Sequence, residues 1–120
     1  MTAVKESSTR SANKRVTADM CPVTYTMDRI GGYWKPIILY QLTSGPKRYS
    51  EIKRAIPTIT EKMLIQHLKQ LEADNIVLRQ AKPVVPPYVV YSLTQPGQEL
   101  APVLQSMAAW AIKNSLPSSC

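Results

Sequence analysis

The sequence predicts an α+β fold that is mostly helical, one domain of helices carrying a single β-hairpin. Three observations predict it. Apolar residues recur at i, i+4, i+7 in several separate stretches, which is the spacing of one helix face. Between Ile76 and Leu93 the period changes from about four to two, in two runs rich in Val, Ile, Leu and Tyr around a proline-dense connection. The chain has 120 residues, 44% of them apolar, which is enough for one core and leaves no room for a second domain.

The elements follow in order. Residues 1–19, rich in Ser, Thr, Lys and Arg, read as a flexible basic arm ahead of a domain spanning 20–114, with 115–120 as a tail. Pro22 suits the first turn of a helix, where its missing N–H is not needed, and Val23, Met27 and Ile30 form its apolar stripe up to the stop at Gly31-Gly32. A second helix starts near Trp34, carries Trp34, Ile38 and Leu42 on one face, and ends before Gly45-Pro46. Lys47 to Tyr49 have room only for a very short strand. Ser50 is the expected N-cap of a short helix bearing Ile52, Ala55 and Ile56, which Pro57 breaks. Thr60 caps the next helix, which runs to about Asp74 with Leu64, Leu68 and Leu71 as its buried stripe.

Two strands are expected at Ile76–Lys82 and Tyr88–Leu93; the three prolines between them cannot donate to a ladder and suit a stiff protruding turn. Thr94 caps a last helix bearing Leu100, Val103, Leu104, Met107, Trp110 and Ala111, with a kink expected at Pro102. Helix, helix, short strand, helix, helix, hairpin, helix is the order of a winged helix-turn-helix. In that fold the second helix of the pair enters the major groove and the hairpin reaches backbone or minor groove.

Charge points to the same partner. Fifteen Lys and Arg face eight Asp and Glu, a net charge of +7, and eight of the fifteen lie between Lys47 and Lys82 against four acids. Lys47, Arg48, Lys53 and Arg54 cluster before the recognition helix, where phosphates would pass; Arg48 has a structural alternative, held against a carboxylate such as Glu51. On the recognition helix Lys62, Ile65, Gln66 and Lys69 face outward. Gln pairs with adenine, Lys with guanine O6 or N7, and Ile packs on a thymine methyl. Thr60 and Glu61 stand at its N-terminus, where Glu61 either favours the helix dipole or accepts from a cytosine amine. In the wing Arg79 and Lys82 are the expected phosphate contacts, and Tyr88 either touches backbone or covers the hairpin. His67, at the flank of the apolar stripe, reads as a packed, hydrogen-bonded histidine rather than a sensor.

Cys21 precedes Pro22 and so sits at a helix N-cap, where the dipole favours a thiolate and raises reactivity. Redox sensing and a purely structural cysteine are both consistent with that position. Cys120 is the candidate resolving thiol. Two cysteines and one histidine make neither a disulfide scaffold nor a metal set, so no cofactor and no metal are expected. With four glycines and no nucleophile–base constellation, catalysis is not expected either. No apolar run approaches the ~20 residues of a membrane span, and residues 1–19 lack a secretory apolar stretch, so a cytoplasmic protein is expected.

Taken together, Cys21-Pro22-Val23, Gly31-Gly32-x-Trp34, Gly45-Pro46-x-Arg48-Tyr49-x-Glu51-Ile52, Lys62-Met63-Leu64-x-Gln66-x-Leu68 and Val85-Pro86-Pro87…Tyr91-Ser92-Leu93-Thr94-x-x-Gly97 closely resemble the HxlR-type regulators, over residues 20–113. The resemblance implies a dimeric bacterial regulator of transcription, paired through its first and last helices, that binds an inverted-repeat operator in double-stranded DNA, most often as a repressor. It also implies, as in several members, an oxidant- or electrophile-sensing cysteine at Cys21. His67 stands where many members carry Arg, Ile65 where a small hydroxyl residue is common, and Tyr88 and Val90 replace a charged pair. The rival readings are a winged-helix protein-interaction module and a regulator that answers a small ligand without redox sensing, with Trp34 and Trp110 lining the pocket.

Overall fold

Local chemistry decides where most helices begin and end. The structure is a computed structural model that describes residues 21–115. The expected arm at 1–19, residues 116–120 of the tail, and Cys120 lie outside the described residues. The chain divides into two compact units, one ending at Gly32 and the other starting at Tyr33, inside the span expected as one domain.

In the first unit, α1 (Pro22–Ile30) has Cys21 as its N-cap and a proline in its first turn. The Gly31 N–H closes it on the Met27 carbonyl at 2.8 Å. Of the expected stripe, Val23 and Met27 are exposed and Ile30 is buried.

In the second unit, α2 (Trp34–Leu42) buries Ile38, Leu39 and Leu42. The Thr43 hydroxyl caps its end by donating to the Tyr40 carbonyl at 2.6 Å. Strand β1 (Lys47–Arg48) then passes directly into α3 (Tyr49–Ala55), and the cap is Arg48, not the expected Ser50. The reason is Glu51, whose Oε1 accepts from the Arg48 N–H at 2.7 Å and so satisfies that donor two residues earlier. Ile52, Ile56 and Ile59 are buried through the turn into α4 (Glu61–Ala73).

At the start of α4 the Thr60 hydroxyl accepts from the Met63 N–H at 3.1 Å, and Leu64, Leu68 and Leu71 form the expected buried stripe. At its C-terminus Asn75 adopts a left-handed φ of 58°. That lets the Asn75 N–H reach the Glu72 carbonyl and the Ile76 N–H reach the Leu71 carbonyl, both at 3.0 Å, closing a Schellman motif.

Strands β2 (Val77–Lys82) and β3 (Tyr88–Leu93) pair antiparallel, with Val77 opposite Leu93 and Lys82 opposite Tyr88. Strand β1 pairs with the other edge of β3, giving the order β1-β3-β2. Thr94 ties the base of this hairpin together. Its hydroxyl donates to the Asn75 carbonyl at 2.8 Å, with the Ile76 carbonyl a longer acceptor at 3.1 Å, and accepts from the Gly97 N–H at 3.1 Å.

The expected kinked last helix is two helices, α5 (Gln95–Glu99) and α6 (Ala101–Asn114), broken at Leu100. Pro102 has no N–H to continue α5, so the Leu100 N–H closes on the Gly97 carbonyl and Pro102 occupies the first turn of a new helix. On α6 only Leu104 is buried; Val103, Met107, Trp110 and Ile112 are exposed.

Candidate nucleic-acid interface

Burying Leu64, Leu68 and Leu71 determines what α4 shows to solvent. At 100° per residue the opposite face carries Lys62, Gln66 and Lys69, all exposed, with Ile65 at their edge, 44% exposed. A large apolar side chain left at that exposure on a cationic face is an available contact for an apolar group such as a base methyl. Glu61 is exposed in the first turn, where its charge favours the N-terminal end of the helix. Thr60 spends its hydroxyl on the cap, so as a DNA contact it would offer only its remaining lone pair and its proton.

In α3, Lys53 and Arg54 lie in the last turn, and the Lys53 ammonium donates to the Pro57 carbonyl at 3.4 Å. Arg48 makes no ion pair among the described residues. Its backbone N–H meets Glu51, while its guanidinium carbon lies 3.7 Å from the centroid of the Tyr88 ring.

The strand register separates the wing's two basic residues. Arg79 lies opposite Tyr91, on the face that also carries the buried Val77 and Leu93. Lys82 lies opposite Tyr88, on the other face, together with Gln80, Val90 and Arg48. Arg79 and Lys82 therefore address different directions. The turn between the strands leaves Val85 98% exposed.

Tyr49 and His67 both hold buried polar atoms without a hydrogen-bond partner among the described residues. The Tyr49 hydroxyl has no hydrogen-bond partner among the described residues, and burial, reinforced by the nearby Glu61 carboxylate and Tyr91, pushes its pKa up. His67 is packed as expected but not hydrogen-bonded, for neither ring nitrogen finds a partner among the described residues. A Tyr following the short strand offered one signal, since an aromatic at a helix start flanked by Ile52 is placed to pack inward. Nothing in the sequence marked its hydroxyl as unpaired.

Cys21, in the first unit, is half-exposed and free. Its side chain closes no cap hydrogen bond of ordinary length, yet the Thr24 hydroxyl and the Thr24 and Val23 amides lie near enough to favour the thiolate, and its pKa is lowered.

No described helix is long and apolar enough to cross a membrane. The family model for HxlR-like helix-turn-helix proteins matches residues 29–119. The chain belongs to that family. Membership makes this HxlR-like protein a DNA-binding transcriptional regulator rather than an enzyme. It is 51% identical over 90 residues to YkvN, an HTH-type transcriptional regulator of Bacillus subtilis, covering 75% of this chain and 76% of that one. The oxidised form of the redox regulator HypR superposes with a TM-score of 0.76 at 46% identity, covering 80% of this chain and 99% of HypR. The reduced form of the regulator YodB from B. subtilis superposes with a TM-score of 0.70 at 41% identity, covering 82% and 98%. The family match begins at residue 29, downstream of Cys21.

Proposed function

We propose that this HxlR-like protein binds a specific inverted repeat in double-stranded DNA as a homodimer and represses transcription there. The observation that carries the reading is the exposed face of α4, where Lys62, Ile65, Gln66 and Lys69 stand opposite a fully buried leucine stripe. Such a face offers two cations, one amide that can form paired hydrogen bonds, and one apolar contact, the set that reads base edges in a major groove. Lys53, Arg48 and the wing cations would supply backbone contacts, which hold register without reading sequence. Glu61 would limit rather than add to phosphate affinity.

Dimerisation is supported by apolar surface that one chain leaves open, namely Val103, Met107 and Trp110 on α6 and Val23 and Met27 on α1. Two copies would set their recognition helices about one DNA turn, ~34 Å, apart. A dimer seated on a promoter excludes polymerase, which is the simplest route to repression. The Cys21 thiol, favoured as thiolate, supports a second layer in which oxidants or electrophiles change the affinity. The likeness to the redox regulator HypR is in keeping with it.

Fluorescence anisotropy tests the reading, with the reduced protein titrated into the promoter fragment flanking its own gene and into a scrambled duplex, at two salt concentrations. Tight binding to the native fragment with a wide gap over the scrambled one is expected. Weak, equal binding to every promoter fragment tried, lost as salt rises, would favour a protein-interaction module instead. Diamide should shift the affinity of the wild type and leave Cys21→Ser unmoved; an equal response in both would remove Cys21 as the sensor.

A further inference from the structure

We infer that Tyr88 is a positioning residue: it holds the Arg48 guanidinium flat on the outer face of the wing, where Arg48 and Lys82 together form a preset site for a DNA phosphate. The inference rests on the DNA-binding reading above and adds to it a site that the recognition helix does not contain.

The strand register creates this cluster. Tyr88 is on the central strand β3, and Lys82 of β2 lies directly opposite it. On the other side, Arg48 of β1 lies opposite Val90, two residues along β3 and on the same face as Tyr88. That diagonal neighbour is within reach of a long side chain, and the guanidinium carbon lies 3.7 Å from the ring centroid. One phenol ring is thus flanked by two cations from two different strands.

The chemistry of the face is one-sided. Its remaining sheet residues are Leu78, Gln80, Val90 and Ser92, none of them acidic. Glu51, the carboxylate nearest in sequence, is occupied by the Arg48 backbone N–H, and no ion pair to the Arg48 side chain forms among the described residues. A guanidinium stacked through its face keeps its in-plane N–H donors pointing outward, and these donors suit a phosphate in bidentate fashion. Stacking also removes rotamer freedom before binding, so less is lost when the phosphate arrives. Val90 matters for the same reason: the position directly across from Arg48 is apolar and cannot draw the guanidinium away from the ring.

A phosphate contact does not depend on sequence, so the test needs no operator. The full-length protein is titrated into a random-sequence duplex across a salt series, as wild type, Arg48→Ala, Tyr88→Leu, Tyr88→Phe and the double variant Arg48→Ala/Tyr88→Leu. Loss of Arg48 should reduce the slope of log K against log salt by about 0.9, one phosphate. Loss of the ring should weaken binding about two- to fivefold, the size of an exposed cation–π contact. Tyr88→Phe, which keeps the ring, should restore what Tyr88→Leu loses, and Tyr88→Leu should cost nothing further once Arg48 is gone. The free protein gives an independent reading, because the ring current shifts the Arg48 Nε–H resonance upfield in the wild type and Tyr88→Phe but not in Tyr88→Leu.

Additive losses, or a Tyr88→Leu protein that binds like the wild type, overturn the inference while leaving DNA binding intact. An Arg48 resonance unshifted in the wild type overturns it without DNA. If the wild type itself shows no affinity for the duplex at low salt while the resonance is shifted, the DNA-binding reading has failed and the inference falls with it. Thermal melts of each variant separate an unfolded wing from a mispositioned arginine.

Discussion

Replacing Gly97 by Ala should cost this protein about 1–3 kcal/mol, although the same change within a helix ordinarily gains ~1 kcal/mol. Gly97 lies inside α5 and is buried. A Cβ there would run into the Ile76 carbonyl oxygen, closer than such atoms come in real proteins, and would stand 3.2 Å from the Leu93 Cβ. The carbonyl cannot retreat freely. It accepts the Thr94 N–H at 3.0 Å and lies 3.1 Å from the Thr94 hydroxyl, the same hydroxyl that caps α5. Overpacking of this kind costs about 1–3 kcal/mol, and a strained or broken buried hydrogen bond adds about 1 kcal/mol. Set against the helix gain, the net is a loss of about 1–3 kcal/mol, or a Tm lower by about 5–20 °C for a domain of this size. Thermal unfolding followed by far-UV circular dichroism reads it directly. A Gly97→Ala protein melting at or above the wild-type temperature would refute the reasoning, because the helix preference would then have outweighed the close approach. Thr94→Val, which leaves the space empty, should lose only the hydroxyl's bonds, about 1–2 kcal/mol.

Other outcomes follow from the same structure. Lys62→Ala and Lys69→Ala should each flatten the salt dependence of DNA binding, by about 0.9 in the log–log slope if the lysine meets a phosphate. A lysine that meets a base instead should show its loss mainly on the native promoter fragment, by about 1–3 kcal/mol. Trp110→Glu, on the exposed apolar face of α6, should convert a dimer to monomer in sedimentation or light scattering without unfolding the chain; a variant that stays dimeric removes α6 from the interface. Because the Thr24 hydroxyl, followed by the Thr24 and Val23 amides, lies near the sulfur and lowers the Cys21 pKa, the thiolate should persist to lower pH than in an ordinary thiol. Its alkylation-rate profile should therefore lie to the acid side, and Thr24→Val should move the midpoint up. An unmoved midpoint would show that the hydroxyl contributes nothing.

Where a segment's chemistry is complete within a turn or two of chain, the sequence by itself determined the structure. Thr60 has its acceptor's partner three residues away, and Leu64, Leu68 and Leu71 share a face by helix geometry alone. The run from Val77 to Lys82 and from Tyr88 to Leu93 is legible as a hairpin because prolines interrupt it. The candidate DNA-reading residues of α4 follow from the same periodicity, since naming the buried stripe names the exposed one. Errors arose where two local rules competed: Ser50 is a good cap, but Glu51 reaches back to Arg48, and Pro102 opens a helix rather than kinking one.

Only the tertiary structure decided which distant residues share a face. The sequence offers Arg48 and Tyr88 each as a DNA contact, yet their stacking depends on the register of β1 against β3, across a separation that no local pattern spans. Arg79 and Lys82 looked equivalent in a list of wing cations, and pairing turned them to opposite faces. The reason Gly97 must be glycine lies in the carbonyl of Ile76, and the Tyr49 hydroxyl is buried beside residues of α4 and β3. Burial and pairing of this kind come from closing the chain on itself, where each contact depends on all the others that set the packing, and so it is the fold that places them.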